Sequence, residues 1–356
     1  MKEIWPGVAA TGSVAAMTEL TNRQIVVAAT PEGGLTEADF RAQDGVAGEP
    51  GPGELLCRTV LLSIDPANRA WLQGRTYRDQ VLPGQVMAGL VLGEVVAENG
   101  TGVPVGSYVT GDGGWQEYSV MPASRVQRVE QAGDLAHHLG VFGMTGLTAY
   151  FGLFDVGRPE PGETVLVSAA AGATGSVVGQ LARTHGCRVV GITGSAAKNR
   201  VITERLGFDA AVDHRSPTFA ADLKEACPNG IDVYFDNVGG PVLDAALRRM
   251  NVHGRVVCCG VVSQYDTGSP APGPAGVPGL VVTKRLRMEG LLVFDYAARY
   301  AEGLAHLAGA VRDGVLVDLI DVVEGLDNAP RALMGLLAGE NVGKRIVRVG
   351  PDRVSS

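Results

Sequence analysis

The run Val165–Gly179 carries the residues with the clearest chemical potential. It reads as a buried strand, a tight small-residue turn and a helix start. Ala170, Gly172 and Gly175 stand at the spacing of a G-x-G-x-x-G turn, with Ala for the first Gly. Such a turn lets backbone N–H groups approach a pyrophosphate at a helix N-terminus. By itself the pattern is weak, because Ala/Gly turns are common in α/β proteins. The next strand, Cys187–Thr193, sharpens it. NAD-specific sites carry a carboxylate near the end of this strand to bind the ribose 2′-hydroxyl. Here the strand runs into Gly194 and Ser195, with the cations Lys198 and Arg200 following. A 2′-phosphate favours such a site, so the residues point to NADP(H) over NAD(H).

Around this motif the chain must supply a scaffold. Its 356 residues suffice for two domains. Fifty glycines indicate a turn-rich protein with a β component. A net charge of −8 argues against general nucleic-acid binding. No apolar run approaches a membrane span. Five cysteines, Cys57, Cys187, Cys227, Cys258 and Cys259, form no close-spaced framework, which argues against a secreted disulfide scaffold. There is no C-x-x-C or H-E motif to hold zinc. Met1–Leu20 lacks the basic start and apolar core of a signal peptide and reads as an N-terminal extension. The expected location is the cytoplasm.

Residues 23–130 read as β-rich, with strands over 23–29, 54–62 and 89–96 separated by Gly/Pro clusters. From about Gly140 the rhythm changes to alternating strands and helices, as in a parallel sheet covered on both faces. Strands are expected over 164–168, 187–193, 210–213, 231–236, 254–260 and 287–294. Helices are expected over 175–186, 197–206, 217–226, 240–250 and 297–313. The tail adds a helix over 328–338 and a strand over 344–349. The Pro/Gly-rich segment Gly268–Gly279 reads as a surface loop, a candidate cover for the active site.

Nearly all of residues 22–349 resembles the zinc-free branch of the medium-chain dehydrogenase/reductase superfamily. The similarity is to the prostaglandin reductase, leukotriene hydroxydehydrogenase and alkenal double-bond reductase group. The segments that carry it are Asn22–Val26, Leu62–Pro66, Gly114–Tyr118, Gly143–Tyr150, Ala169–Gly179, Phe235–Gly240, Cys259–Tyr265, Lys284–Gly290 and Gly339–Lys344. The resemblance implies an α/β protein with two domains. A Rossmann doubly wound parallel sheet would occupy residues 140–316. A β-rich GroES-like catalytic domain would comprise residues 21–139 and the returning segment 317–356. Residues 1–20 stand outside both as the extension.

The resemblance also implies site roles. Gly172, Ala173, Thr174 and Gly175 would cradle the pyrophosphate, and Lys198 would pair with the 2′-phosphate. His214 takes the place of the Tyr in the family's Asp-Tyr-Lys run, here Asp213-His-Arg215. Asn237 and Asn341 would contact the cofactor, although short polar residues also serve as self-bonded turn residues. Cys259, Gly260 and Val261 would run beneath the nicotinamide ribose, and Leu292, Val293 and Phe294 would line the nicotinamide. Tyr265 would be the catalytic phenol near the substrate carbonyl. The family's Asp-Pro-Tyr-Met-Arg becomes Asp65-Pro-Ala-Asn-Arg69, so Ala67 and Asn68 are expected to widen the substrate pocket and make it more polar.

The implied reaction is NADPH-dependent reduction of the C=C bond of an enone or enal. Hydride would go to the β-carbon, while the Tyr265 O–H stabilises negative charge on the carbonyl oxygen. Quinone reduction, alcohol oxidation and nucleotide binding without turnover remain alternatives on the same fold. The expected partner is a small-molecule substrate. The resemblance and the apolar run Leu291–Phe294 further imply a homodimer through sheet-edge pairing near residues 281–294.

Overall fold

The computed structural model describes residues 20–130, 133–269 and 273–351. The expected extension, up to residue 19, lies outside the described residues. The first part of the chain forms β1 (Thr21–Val27), β2 (Phe40–Val46), β3 (Glu54–Ser63), β4 (Leu90–Glu98), β5 (Tyr108–Asp112), β6 (Tyr118–Pro122) and β7 (Gln127–Val129). Helix α1 (Pro66–Gln73) interrupts this series after β3. β1 and β2 pair antiparallel by themselves. β3, β4, β5 and β7 form the body of a larger sheet, with β6 on β3. Side chains of β3 and β4 pack against Trp115, Met87 and Leu72 in one core.

The second part begins with α2 (Met144–Phe151), whose last turn widens to a π-turn over Gly152–Gly157. It continues with β8 (Thr164–Ser168), α3 (Ala173–Thr184), β9 (Arg188–Thr193), α4 (Ala196–Arg200) and β10 (Ala210–Asp213). Then come α5 (Phe219–Ala226), β11 (Ile231–Asp236), α6 (Gly240–Arg249), β12 (Met250–Cys258), α7 (Val277–Lys284), β13 (Arg287–Gly290) and α8 (Tyr300–Arg312). The six strands run parallel in the order β10-β9-β8-β11-β12-β13. Every residue of β8 is buried. Val165 and Val167 join the core on one face, and Leu166 joins the core on the other. This is why β8 reads as a continuous apolar run rather than an alternating one.

The chain then returns to the first sheet through β14 (Ile320–Glu324), α9 (Ala329–Leu337) and β15 (Lys344–Arg348). β15 pairs antiparallel with β3 and parallel with β14.

Three local expectations need correction. The strand expected over 287–294 ends at Gly290. Leu291 still donates to Cys258 O at 3.1 Å, and Val293–Arg299 then coils into a 3₁₀ turn. An apolar run looks the same whether it enters a sheet or lines a cleft. The loop expected over Gly268–Gly279 gives way to α7 at Val277, with Pro278 in the first turn where its missing N–H costs nothing. Residues 270–272 of that loop lie outside the described residues. Finally, α1 and α2 stand where no helix was expected. Asp65-Pro66-x-Asn68 is a helix start: Pro stands at the first position and Asn68 accepts from the Asp65 N–H at 2.7 Å.

Candidate active site

β8 ends at Ser168, and the backbone then turns sharply. Ala169 adopts a left-handed conformation, φ 49°, uncommon for a residue with a side chain. Its carbonyl accepts from Gly172 N at 2.9 Å. Gly172 caps α3, so the free N–H groups of the first helical turn open into the cleft. Gly175 must lack a side chain, since a Cβ there would stand 2.4 Å from Ala169 O. A second tight approach joins this turn to the returning segment. Gly343 N donates to Ala171 O at 2.7 Å. Gly343 has φ +80°, and a Cβ there would meet Leu319 O at 2.0 Å.

Between the two sheets lies a cleft of about 2040 Å³. That exceeds the few hundred to a thousand Å³ of an ordinary small-ligand pocket and leaves room for a dinucleotide and a substrate together. Gly172, Ala173, Thr174 and Gly175 line it, as do Lys198, His214, Asn237, Cys259, Gly260, Leu292, Val293, Phe294 and Asn341.

At one end Lys198 donates to Gly339 O at 2.6 Å, and Arg215 Nη2 donates to Ala338 O at 3.2 Å. Burial holds the Lys198 ammonium below the usual lysine range. The nearby cations Arg215 and Arg345 lower it further, and Asp321 offsets them in part. Like charges gathered around a half-buried ammonium suit a dianionic phosphate, which would relieve their repulsion. His214 has its Nδ1 at 2.6 Å from Thr193 O. Arg215 was not singled out from the sequence, although the Asp213-His-Arg215 run contains it. Arg200 does not line the cleft.

Further along, Asn237 is tied back to β8, its N to Ser168 Oγ at 2.9 Å and its Nδ2 to Ser168 O at 2.7 Å. Cys259 N and Gly260 N both donate to Asp236 O. Burial pushes the Cys259 thiol up to about 12, so it is no nucleophile at neutral pH. Asn341 is buried and donates to Gly343 O at 2.7 Å.

Tyr265 sits at the other end, after a 3₁₀ turn over Val262–Gln264. Burial raises its phenol above the usual tyrosine range. A backbone hydrogen bond from Val261 acts against the shift, and Cys259 adds slightly to it. The phenol therefore keeps its proton at neutral pH. Across from it are Ala67, Trp71 and Tyr77 of the first part of the chain. Tyr77 and Phe294 meet across the cleft, ring centroids 5.5 Å apart, and Trp71 Nε1 donates to Tyr77 Oη at 3.2 Å. No sequence signal singles out Tyr77.

Two expected site residues fall elsewhere. Asn68 does not face the cleft. It is fully buried, accepts from Asp65 N and donates Nδ2 to Ala88 O at 3.1 Å. Its amide is consumed by holding the start of α1. Val261 is absent from the cleft wall, where Val262 and Ser263 appear instead. The Val261 side chain is turned toward Gly239, where a Cβ would approach its Cγ2 to 3.0 Å.

A glycine turn, a cation cluster and a protonated phenol share one cleft between two sheets. Residues 23–129 match the family model described as the N-terminal domain of oxidoreductase, and residues 173–309 match that described as zinc-binding dehydrogenase. The NADPH-dependent curcumin reductase of Escherichia coli (strain K12) is 40% identical over 337 residues, covering 93% of this chain and 98% of that protein. The chain is a zinc-independent medium-chain dehydrogenase/reductase. A 2-alkenal reductase (NADP(+)-dependent) of Nicotiana tabacum is 36% identical to this reductase, covering 94% of this chain and 99% of the other. The crystal structure of CurA in complex with NADPH from Vibrio vulnificus superposes on the reductase with a TM-score of 0.89. It is 38% identical, with 93% and 100% of the two chains covered. The reductase is an NADP-dependent oxidoreductase, and its cofactor is NADP(H). The name of the second family model does not carry a zinc site with it. Among the described residues no group of three or more His, Cys, Asp or Glu side chains is placed to hold a metal ion.

Proposed function

We propose that this reductase reduces the C=C bond of α,β-unsaturated ketones or aldehydes. The observation that carries the reading is the placement of Tyr265. A phenol that keeps its proton faces the same cleft as the glycine turn and the cation cluster. When bound, NADPH would supply the hydride that adds to the electron-poor β-carbon of the substrate. Negative charge then grows on the carbonyl oxygen, the Tyr265 O–H meets it as a hydrogen-bond donor, and a proton taken up from solvent at the α-carbon completes the reduction. The N–H groups of Gly172–Gly175 hold the pyrophosphate. Lys198, with His214 and Arg215, selects the 2′-phosphate. Leu292, Val293 and Phe294 keep water from the reacting face, and Ala67 leaves space beside it. Asn237, Cys259, Gly260 and Asn341 complete the cofactor wall.

Relatives named for curcumin and 2-alkenal reduction support this substrate class. The test follows NADPH absorbance at 340 nm against a panel of enones, quinones and alcohols. Preferential turnover of enones supports the proposal. Quinones outcompeting enones would replace it with quinone reduction on the same scaffold.

The proposal extends to organisation. Residues 21–139 with 317–356 act as one unit and 140–316 as the other. The two crossings lie side by side, where Asp318 Oδ2 accepts from Val141 N at 3.0 Å. The protein is a homodimer through β13, which among the described residues pairs only with β12 and leaves its outer edge open. Val282 of α7, which precedes β13 in the chain, is 73% exposed. A monomer mass by light scattering over a wide concentration range would refute the dimer. A cytoplasmic location is supported by the cysteines, all five of which are free thiols. No helix among the described residues is long and apolar enough to cross a membrane.

A further inference from the structure

Tyr265 is followed directly by Asp266, and Asp266 does not belong to its own side of the cleft. Its Oδ1 accepts from Arg69 Nε at 2.9 Å and from Leu35 N at 2.8 Å. Both partners come from the first part of the chain, some two hundred residues away in sequence. Arg69 is only 1% exposed. Its Nη2 donates to Gly33 O at 2.6 Å, and its Nη1 has no partner among the described residues. A buried guanidinium requires a counter-charge, and Asp266 is the only carboxylate paired with it among the described residues. Arg69 lies on α1, within one turn of Ala67, which lines the substrate end. The backbone of the next residues closes the same seam, since a Cβ at Gly268 would come within 3.4 Å of Glu32 O.

We infer that Arg69 and Asp266 are positioning residues: their ion pair clamps the loop after β12 onto the Gly33–Leu35 loop and thereby fixes the Tyr265 hydroxyl over the substrate end of the cleft. The inference rests on the proposed role of Tyr265. Neither residue of the pair lines the cleft. Asp266 Oδ1 is shared between a guanidinium and a backbone N–H, so one oxygen sets both the angle and the distance of the loop. Displacing a reacting group by about 1 Å can cost up to a hundredfold in rate. The clamp needs both an acceptor oxygen at position 266 and its negative charge, because Arg69 is buried.

The test is a double-mutant cycle on single-turnover oxidation of bound NADPH by benzalacetone, with hydrogen exchange as a readout independent of turnover. Asp266→Ala should slow hydride transfer about tenfold when Tyr265 is intact and less than about twofold in a Tyr265→Phe background, because residues acting as a unit are not additive. NADPH affinity should stay within about twofold of wild type in both. Asp266→Asn, which keeps the acceptor oxygen but removes the counter-charge of buried Arg69, should restore only part of the rate. Amide exchange in residues 262–269 and at Leu35 should quicken in Asp266→Ala while β8 and α3 remain protected. An equal rate loss in both Tyr265 backgrounds would overturn the clamp and make Asp266 a general stabiliser. No rate loss in Asp266→Ala, or unchanged exchange at residues 262–269, would also overturn it. A Tyr265→Phe enzyme as fast as wild type would instead overturn the role of Tyr265, and the clamp with it.

Discussion

The two ends of the cleft are built in opposite ways. At the cofactor end, β8, its turn and the start of α3 form one contiguous stretch, and the turn places Gly172–Gly175 by backbone geometry alone. At the substrate end, Ala67 and Tyr77, Tyr265, and Phe294 come from three separate stretches of chain, and they meet because the two sheets face each other. The first end depends on what each residue is. The second depends on where distant elements stop, as the early end of β13 at Gly290 shows. Local backbone sites should therefore respond to substitution mainly in cofactor affinity, and cross-sheet sites mainly in turnover.

The strongest test of this contrast is Tyr265→Phe. Losing one hydrogen-bond donor to a developing oxyanion costs roughly a hundredfold or more in other enzymes; with the ribose hydroxyl or a water as a partial substitute, hydride transfer should fall by less than that, with the NADPH dissociation constant unchanged. Single-turnover kinetics and fluorescence titration measure the two quantities separately. Equal losses in both would erase the distinction between the ends.

Lys198→Ala is the counterpart at the cofactor end. Removing a charge-assisted contact should weaken NADPH binding by about 1.5–3 kcal/mol, leave NADH binding unchanged and leave hydride transfer at saturating NADPH nearly intact. Arg215→Ala should act in the same direction but less, because its side chain is exposed. Comparable loss of NADH affinity would remove both cations from the phosphate site.

Asn68→Ala separates the reading of Asn68 from sequence from its place in the fold. The buried amide holds the start of α1, so the loss should be one of stability, about 1–2 kcal/mol in chemical denaturation, with substrate preference unchanged. A changed ranking of enone substrates at full stability would return Asn68 to the pocket.

The pH dependence should show a smaller effect. Burial raises the Tyr265 phenol. The acid form is the donor, so a raised pKa extends its working range upward. The rate of hydride transfer should not fall through Tyr265 ionisation below about pH 10, the ordinary tyrosine value. A fall beginning near pH 8 and vanishing in Tyr265→Phe would contradict the assigned protonation state. Chelator treatment is expected to have no effect on activity or melting temperature, and elemental analysis should find no stoichiometric zinc.

Much of the fold was legible because its signals are local. The continuous apolar run of β8, the small-residue turn and the missing carboxylate after β9 each lie within a short window. The two missed helices divide by cause. α1 is marked in the sequence by the capping pattern Asp65, Pro66 and Asn68, whose amide has the same polar character as a pocket residue. α2 begins at Gly143 with no side-chain cap, and its small and apolar residues give little periodicity. At the site, His214 drew attention as a departure from the family pattern, while its neighbour Arg215 at the same corner did not. Tyr77, between α1 and β4, follows no motif at all.

The residue types by themselves determined the dinucleotide turn, the preference for a ribose 2′-phosphate over a 2′-hydroxyl, and the alternation that makes a parallel sheet buried on both faces. These follow from steric limits at single backbone positions, from charge and from periodicity, which short segments carry intact. Only the tertiary structure decided that Asn68 turns inward, that the strand before Leu291–Phe294 stops at Gly290, and that Arg69 reaches Asp266. Each of these outcomes depends on which distant surface a side chain meets. A polar group taken from water must find a partner wherever the packed chains bring one, and no short stretch of sequence specifies that partner.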